Sequence, residues 1–166
     1  MKRIFLATLL VFVMSAATAL AAGWDQIYID GDDNTIFIDQ STVKVLTRNG
    51  NDATFSASFK QVYSEKGRNN MIDWYRNNTN VPPGIEDLSY DISVIQFKKE
   101  GDNRYYCIVD RNSFNSSDKP IEYMHYTTDN VVWQEVPLGS LIEVEYFEAV
   151  LIVEGKLYKR IDAENL

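Results

Sequence analysis

Apolar and polar side chains alternate most cleanly in ATFSASFKQVY, residues 53–63. Phe55, Ala57, Phe59 and Tyr63 fall on one side, with Ser56, Ser58, Lys60 and Val62 on the other. A half-buried strand requires this period of two, because successive side chains point to opposite faces. The same pattern predicts strands over 24–29, 35–38, 43–46, 90–97 and 104–110. In the last of these, Tyr105, Cys107 and Val109 share a face. KKEGDN supplies a turn, NSFNSSDKP a polar loop, and 122–127 with 131–135 a hairpin around TTDN.

The period changes at SEKGRNNMIDWYRNN, residues 64–78, where Met71, Ile72, Trp74 and Tyr75 group at helical spacing. NTNVPPG ends that short helix with two prolines and a glycine. Near the end of the chain, Ser140 and Glu143 have capping-box spacing. The hydroxyl can accept from the Glu143 amide while the carboxylate returns to the Ser140 amide. Leu141, Val144, Phe147 and Leu151 then lie along one helical face. A helix ending near Gly155 is favoured there over a strand, which the β-branched content would also suit.

These elements predict an α+β fold. It has a single antiparallel β-sheet of about six strands, with a central short helix and a C-terminal helix packed against it. No repeat or shift in composition marks a second domain, so residues 22–166 are expected to form one.

The N-terminal pattern is of another kind. Lys2 and Arg3 precede the apolar run 4–14, and Ala19-Leu20-Ala21 fits the small-x-small rule for signal cleavage. Residues 1–21 are expected to be a signal peptide, with the mature chain beginning near Ala22 or Gly23. The apolar run is short for a bilayer span of about 20 residues. No cysteine follows the site to carry a lipid. Removal of Lys2 and Arg3 takes the formal net charge from −8 to −10. Such a field repels nucleic acid and anionic lipid. Cys107 is the single cysteine, which excludes an internal disulfide. It is expected to be a buried thiol, with a dimer-linking disulfide as the alternative.

Candidate chemistry begins with DGDDNTIFID, residues 30–39. Asp30, Asp32 and Asn34 match the first three ligand positions of a calcium loop. Thr35 stands where that loop needs glycine, and Ser41 where it needs the closing glutamate. Gly, Asp and Asn instead suit a turn between strands. Asp30 and Asp39 end neighbouring predicted strands and read as surface charge rather than an acid–base pair. His125 is the single histidine; it falls among Tyr123, Met124 and Tyr126 and reads as a structural or surface residue. One His and one Cys without clustered carboxylates do not make a zinc site. There is no GxSxG and no glycine-rich phosphate loop. No metal, catalytic or cofactor-binding residue is therefore assigned, and no cofactor is expected.

Three segments together resemble the surface-adhesin protein E-like family. GWDQIYIDGDDNTIFIDQSTV looks like its opening Trp strand, turn and aromatic–aliphatic–Asp strand end, here Phe37-Ile38-Asp39. RYYCIVDRNSF is similar to its Cys-bearing strand, and VVWQEVPLGSLIEVEYFEAV to its closing Trp, Pro and Gly-Ser segment. The resemblance implies a small antiparallel sheet backed by helices in an exported, often dimeric protein. The name-giving member is a bacterial surface adhesin that binds host matrix proteins, and many relatives have no established activity. Members typically carry a second Cys near the terminal helix; residues 149–153 offer none. No binding residue carries over, because no binding motif matches position by position.

The expectation is an exported, non-enzymatic binding protein, with an adhesin for host matrix proteins as the form the resemblance implies. Its partners would be a protein ligand from host matrix or envelope, and a second copy of the chain as a homodimer. Nucleic acid is not expected, nor a membrane span after signal removal. Cell surface, periplasm and extracellular medium all suit an exported chain. Two alternatives stay open: an envelope-associated structural module without external ligand, and a small secreted hydrolase using His125. Contacts are expected on loops, NTNVPPG and NSFNSSDKP first.

Overall fold

The computed structural model describes residues 23–126 and 132–164, with side chains as far as 155. The expected signal peptide lies outside the described residues. Seven strands form one antiparallel sheet: β1 (Trp24–Ile29), β2 (Thr35–Asn49), β3 (Asp52–Val62), β4 (Leu88–Glu100), β5 (Asn103–Asn115), β6 (Pro120–His125) and β7 (Gln134–Glu135). Six of them run in chain order, β1 to β6, and β7 pairs with β5. Helix α1 (Glu65–Asn78) joins β3 to β4, and α2 (Leu141–Glu164) ends the described chain. The fold is α+β, as the sequence pattern predicts. Among the described residues no helix is long and apolar enough to cross a membrane.

Both helices cover one face. The odd-numbered side chains of β3 (Phe55, Ala57 and Phe59) pack with Tyr146, Ala149 and Val153 of α2. Tyr63, four residues beyond Phe59 on the same side, packs with Ile72 and Tyr75 of α1 and with Ile85 and Leu88. At the centre, Phe55, Phe97 and Tyr146 lie with ring centroids 5.5 to 5.7 Å apart. Tilted and edge-on pairs of this kind add about 0.5–1.5 kcal/mol each beyond burial.

Four expectations are corrected. The two short strands at 35–38 and 43–46 are one strand with a register irregularity between Asp39 and Lys44. The polar DQST is stitched into it: Thr42 Oγ1 donates to the Asp39 carbonyl at 2.7 Å and accepts from the Ser58 amide at 2.9 Å. NSFNSSDKP is strand as far as Asn115, with a tight turn before Pro120. Among the described residues the two arms of the expected hairpin, 122–127 and 131–135, do not pair with each other. β6 and β7 lie end to end along the same edge of β5, and residues 127–131 lie outside the described residues.

The fourth correction concerns α2, which continues past Gly155 to Glu164. An interior glycine costs only about 1 kcal/mol relative to alanine. Ser140 Oγ accepts from the Glu143 amide at 3.2 Å as expected, but the Glu143 carboxylate accepts from Gly139, at 2.7 Å, rather than from Ser140. The buried stripe is Glu145, Tyr146, Ala149 and Val153, while Phe147 and Leu151 are 43% and 62% exposed. Tyr146 wins the inward position by closing the aromatic cluster, and Ala149 lets the helix approach the sheet.

Candidate functional site

The helix-covered face changes character along the strands. Cross-strand register aligns Gln61, Asp91, Ser113 and Glu122 in one row, and Phe59, Ser93, Arg111 and Met124 in the next. Arg111 reaches this face through a bulge. Ile108 pairs with Ile95 and Asp110 with Val94, so Val109 is passed over. Without that extra residue, strict alternation would put Arg111 on the side of Cys107, away from the helices. A bulge re-aims a side chain in this way.

Asp91 is 3% exposed. Its Oδ2 accepts from Tyr63 Oη at 2.7 Å and from Arg111 Nε at 2.8 Å, and Arg111 Nη2 donates to the same oxygen. Arg111 Nη2 also donates to Tyr63 Oη at 3.2 Å. Asp91 Oδ1 has no partner among the described residues. Burial alone would weaken the charge on Arg111, but the Asp91 carboxylate outweighs it and holds the guanidinium protonated beyond its ordinary value. Burial first, and the Asp91 charge second, push the Tyr63 hydroxyl far up. The neighbouring Tyr75 donates to Glu122, and its hydroxyl is likewise raised, by burial and then by that carboxylate.

A cleft of about 290 Å³ lies between this cluster and α1. Tyr63 and Arg111 line its base; Met71 and Trp74 line its α1 wall. Trp74 is 51% exposed, a large aromatic ring left in solvent at the mouth. The opposite wall is the acidic stretch at residues 30–34. Asp30 Oδ1 accepts from the amides of Asp32 and Asn34, both at 2.9 Å, which is the expected turn. A second role was not legible: the turn clamps the start of α1. Asn34 Oδ1 accepts from the Ser64 amide at 3.0 Å, and Ser64 Oγ donates to the Asp32 carbonyl at 2.6 Å while capping Gly67 at 2.9 Å. Lys66 pairs with Asp32 at 3.0 Å. Hydrogen bonds from Asn70 and Lys66 hold the Asp32 carboxyl below its usual range. Gly67 is required where α1 meets the turn, since a Cβ there would lie 1.8 Å from Asn34 Oδ1.

The residues weighed for chemistry do not converge. Asp39 accepts from Ser41 within β2. His125 is half-exposed on the sheet face opposite the helices, 3.8 Å from Asp110 and stacked on Tyr123. Among the described residues no hydroxyl or thiol donates to it, and none of them form a metal-binding group of three or more. Cys107 is buried and free on that same face, and burial pushes its thiol up. NTNVPPG and NSFNSSDKP do not line the α1 cleft. Asp91 and Arg111 were missed by sequence reasoning, although a signal for Asp91 was present. It alternates with Ser93, Ile95 and Phe97, and an acid on an apolar face needs a partner.

No protein-family model, curated protein or solved structure matches this chain.

Proposed function

We propose that this chain is an exported, non-enzymatic binding protein that takes its ligand at the α1 cleft, the partner being a protein of the host matrix or the cell envelope. The observation that supports this most is Arg111, immobilised by Asp91 and Tyr63 at the cleft base beside the exposed Trp74. Tryptophan, tyrosine and arginine carry most of the energy at protein interfaces. The Tyr63 hydroxyl spends its hydrogen on Asp91, so the Arg111 guanidinium is the group at the cleft base that donates to a partner. The matching surface on a partner offers a carboxylate or carbonyl to Arg111 and an apolar side chain to Trp74. The resemblance to surface adhesins implies a protein partner, without pointing to a binding residue.

Capture of the purified protein by immobilised matrix and envelope proteins tests the reading. Trp74→Ala should weaken capture at least about tenfold, the size of one modest interface contact, with the melting temperature unchanged. Capture unaffected by Trp74→Ala would refute the assignment of this cleft. Protease shaving of intact cells tests export to the surface.

A homodimeric envelope module is the second reading, and the outer edge of β1, which no described residue pairs, favours it. Tyr28 and Ile29 are exposed there, and an unpaired strand edge is a template for pairing with another chain. Light scattering separates the two.

A further inference from the structure

The other end of the same sheet face holds a second cleft that plays no part in the function proposed above. Cross-strand register sets Arg48 opposite Ala53, Ala53 opposite Lys99, and Lys99 opposite Arg104. Paired residues on antiparallel strands project to the same side. Three cations and one alanine therefore form a single row across β2, β3, β4 and β5. Like charges placed directly opposite, as Lys99 and Arg104 are, destabilise a sheet. The row also runs against the molecule's overall balance, a net charge of −8.

Only part of that repulsion is offset within the chain. Arg104 pairs with Glu143 at 3.5 Å and lies over the ring of Phe147 at 4.7 Å. Neither Arg48 nor Lys99 takes part in an ion pair among the described residues. One carboxylate, the exposed Glu154, stands at the rim. One step inward on the same face the row gives way to Phe55, buried against Phe97. Helix α2 lays Phe147 and Val150 over that floor, and the small Ala53 leaves the space between them open. The result is a cleft of about 230 Å³ with cations at its mouth and an apolar floor.

We propose that this cleft binds an amphipathic organic monoanion: a carboxylate head seated in the Arg48–Lys99–Arg104 row, with a short acyl or single-ring body on Phe55, Phe147 and Val150. The head offsets the part of the Lys99–Arg104 repulsion that the described residues leave uncompensated. The volume is below the roughly 300 Å³ at which pockets for drug-sized ligands begin, so the body is short.

Titration calorimetry with octanoate tests this, with acetate as head alone and 1-octanol as body alone. Octanoate should bind one to one, and each control at least about tenfold more weakly. Lys99→Gln should lower octanoate affinity about tenfold, the loss of one charge-assisted contact. It should also raise the melting temperature of the unliganded protein by removing like-charge repulsion, a gain that a purely structural cation would not give. Ala53→Leu should fill the floor and abolish uptake. Trp74→Ala, in the other cleft, should leave octanoate binding unchanged, which separates failure here from failure of the proposed function. Equal binding of octanol and octanoate, or affinity indifferent to Lys99→Gln, would overturn the proposal. So would adsorption to phosphatidylglycerol vesicles without uptake of free octanoate, which would make the row a contact for lipid surfaces.

Discussion

Glu145 lies in the buried stripe of α2, 5% exposed, and its Oε2 has no hydrogen-bond partner among the described residues. Burial pushes its carboxyl up to about 8 from an ordinary value of 4.5. In the pH interval between those values the folded protein keeps a proton that the unfolded chain releases. The unfolded state then binds fewer protons, so stability falls as pH rises through that window. Each unit of difference is worth about 1.4 kcal/mol, so the full effect has a ceiling near 5 kcal/mol, with about 3–4 kcal/mol of it between pH 5 and pH 8. Glu145→Gln removes the titration and leaves a buried amide costing about 1–3 kcal/mol where it finds no partner. The variant should be the less stable protein at pH 5 and the more stable one at pH 8, with the two curves crossing between. Urea unfolding at half-unit steps of pH, followed by far-ultraviolet circular dichroism, measures both. Parallel curves for wild type and variant would refute the reasoning, because a carboxyl that ionises freely in the fold contributes no slope.

Asp91→Asn should destabilise the protein by at most about 3–5 kcal/mol by leaving the half-buried Arg111 without its counter-charge, and the Asp91→Leu/Arg111→Met pair should cost less than either change alone; urea unfolding gives all four stabilities. Gly67→Ala should cost about 2–3 kcal/mol, since the new Cβ displaces the Asn34 amide that holds the turn to α1. Amide hydrogen exchange should show the loss concentrated in residues 30–34 and the first turn of α1. Ser140→Ala should cost about 1 kcal/mol by removing the N-cap of α2, read as a lowered melting temperature with the same unfolding slope.

The strands that could be read from sequence are those with one dry face. Residues 53–63 alternate because β3 lies mid-sheet with the aromatic cluster on one side only. Where side chains bond to the backbone, the hydrophobic pattern carries no signal. Asp39, Ser41 and Thr42 look like a break between two strands because their polarity is spent within the strand. α2 offers two apolar stripes, and hydrophobicity alone picks the one with Phe147 and Leu151. Choosing the other requires knowing that Phe55 and Phe97 await a third ring. The α1 cleft was out of reach for a related reason. Its central cation depends on one bulged residue in β5, and no local pattern marks Val109 as the residue to be passed over.

One strand explains why this face has a cleft at each end. β4 presents Asp91, Ser93, Ile95, Phe97 and Lys99 in succession toward the helices, with charge at both ends and apolar groups between. Burying an apolar side chain is favourable wherever it meets another, so α2 settles over Phe97, and Ile95 joins the same core. Burying a charge is favourable only with a partner. At the Asp91 end the partner comes from within the chain, Arg111 one strand away, and the pair forms the base of the α1 cleft. At the Lys99 end the nearest cross-strand neighbours are Ala53 and Arg104, neither of which is a counter-charge. In the first cleft the cation is thus paired within the chain, with its guanidinium oriented by Asp91 and Tyr63. The second is left positive, and a carboxylate from outside supplies there what Asp91 supplies at the other end.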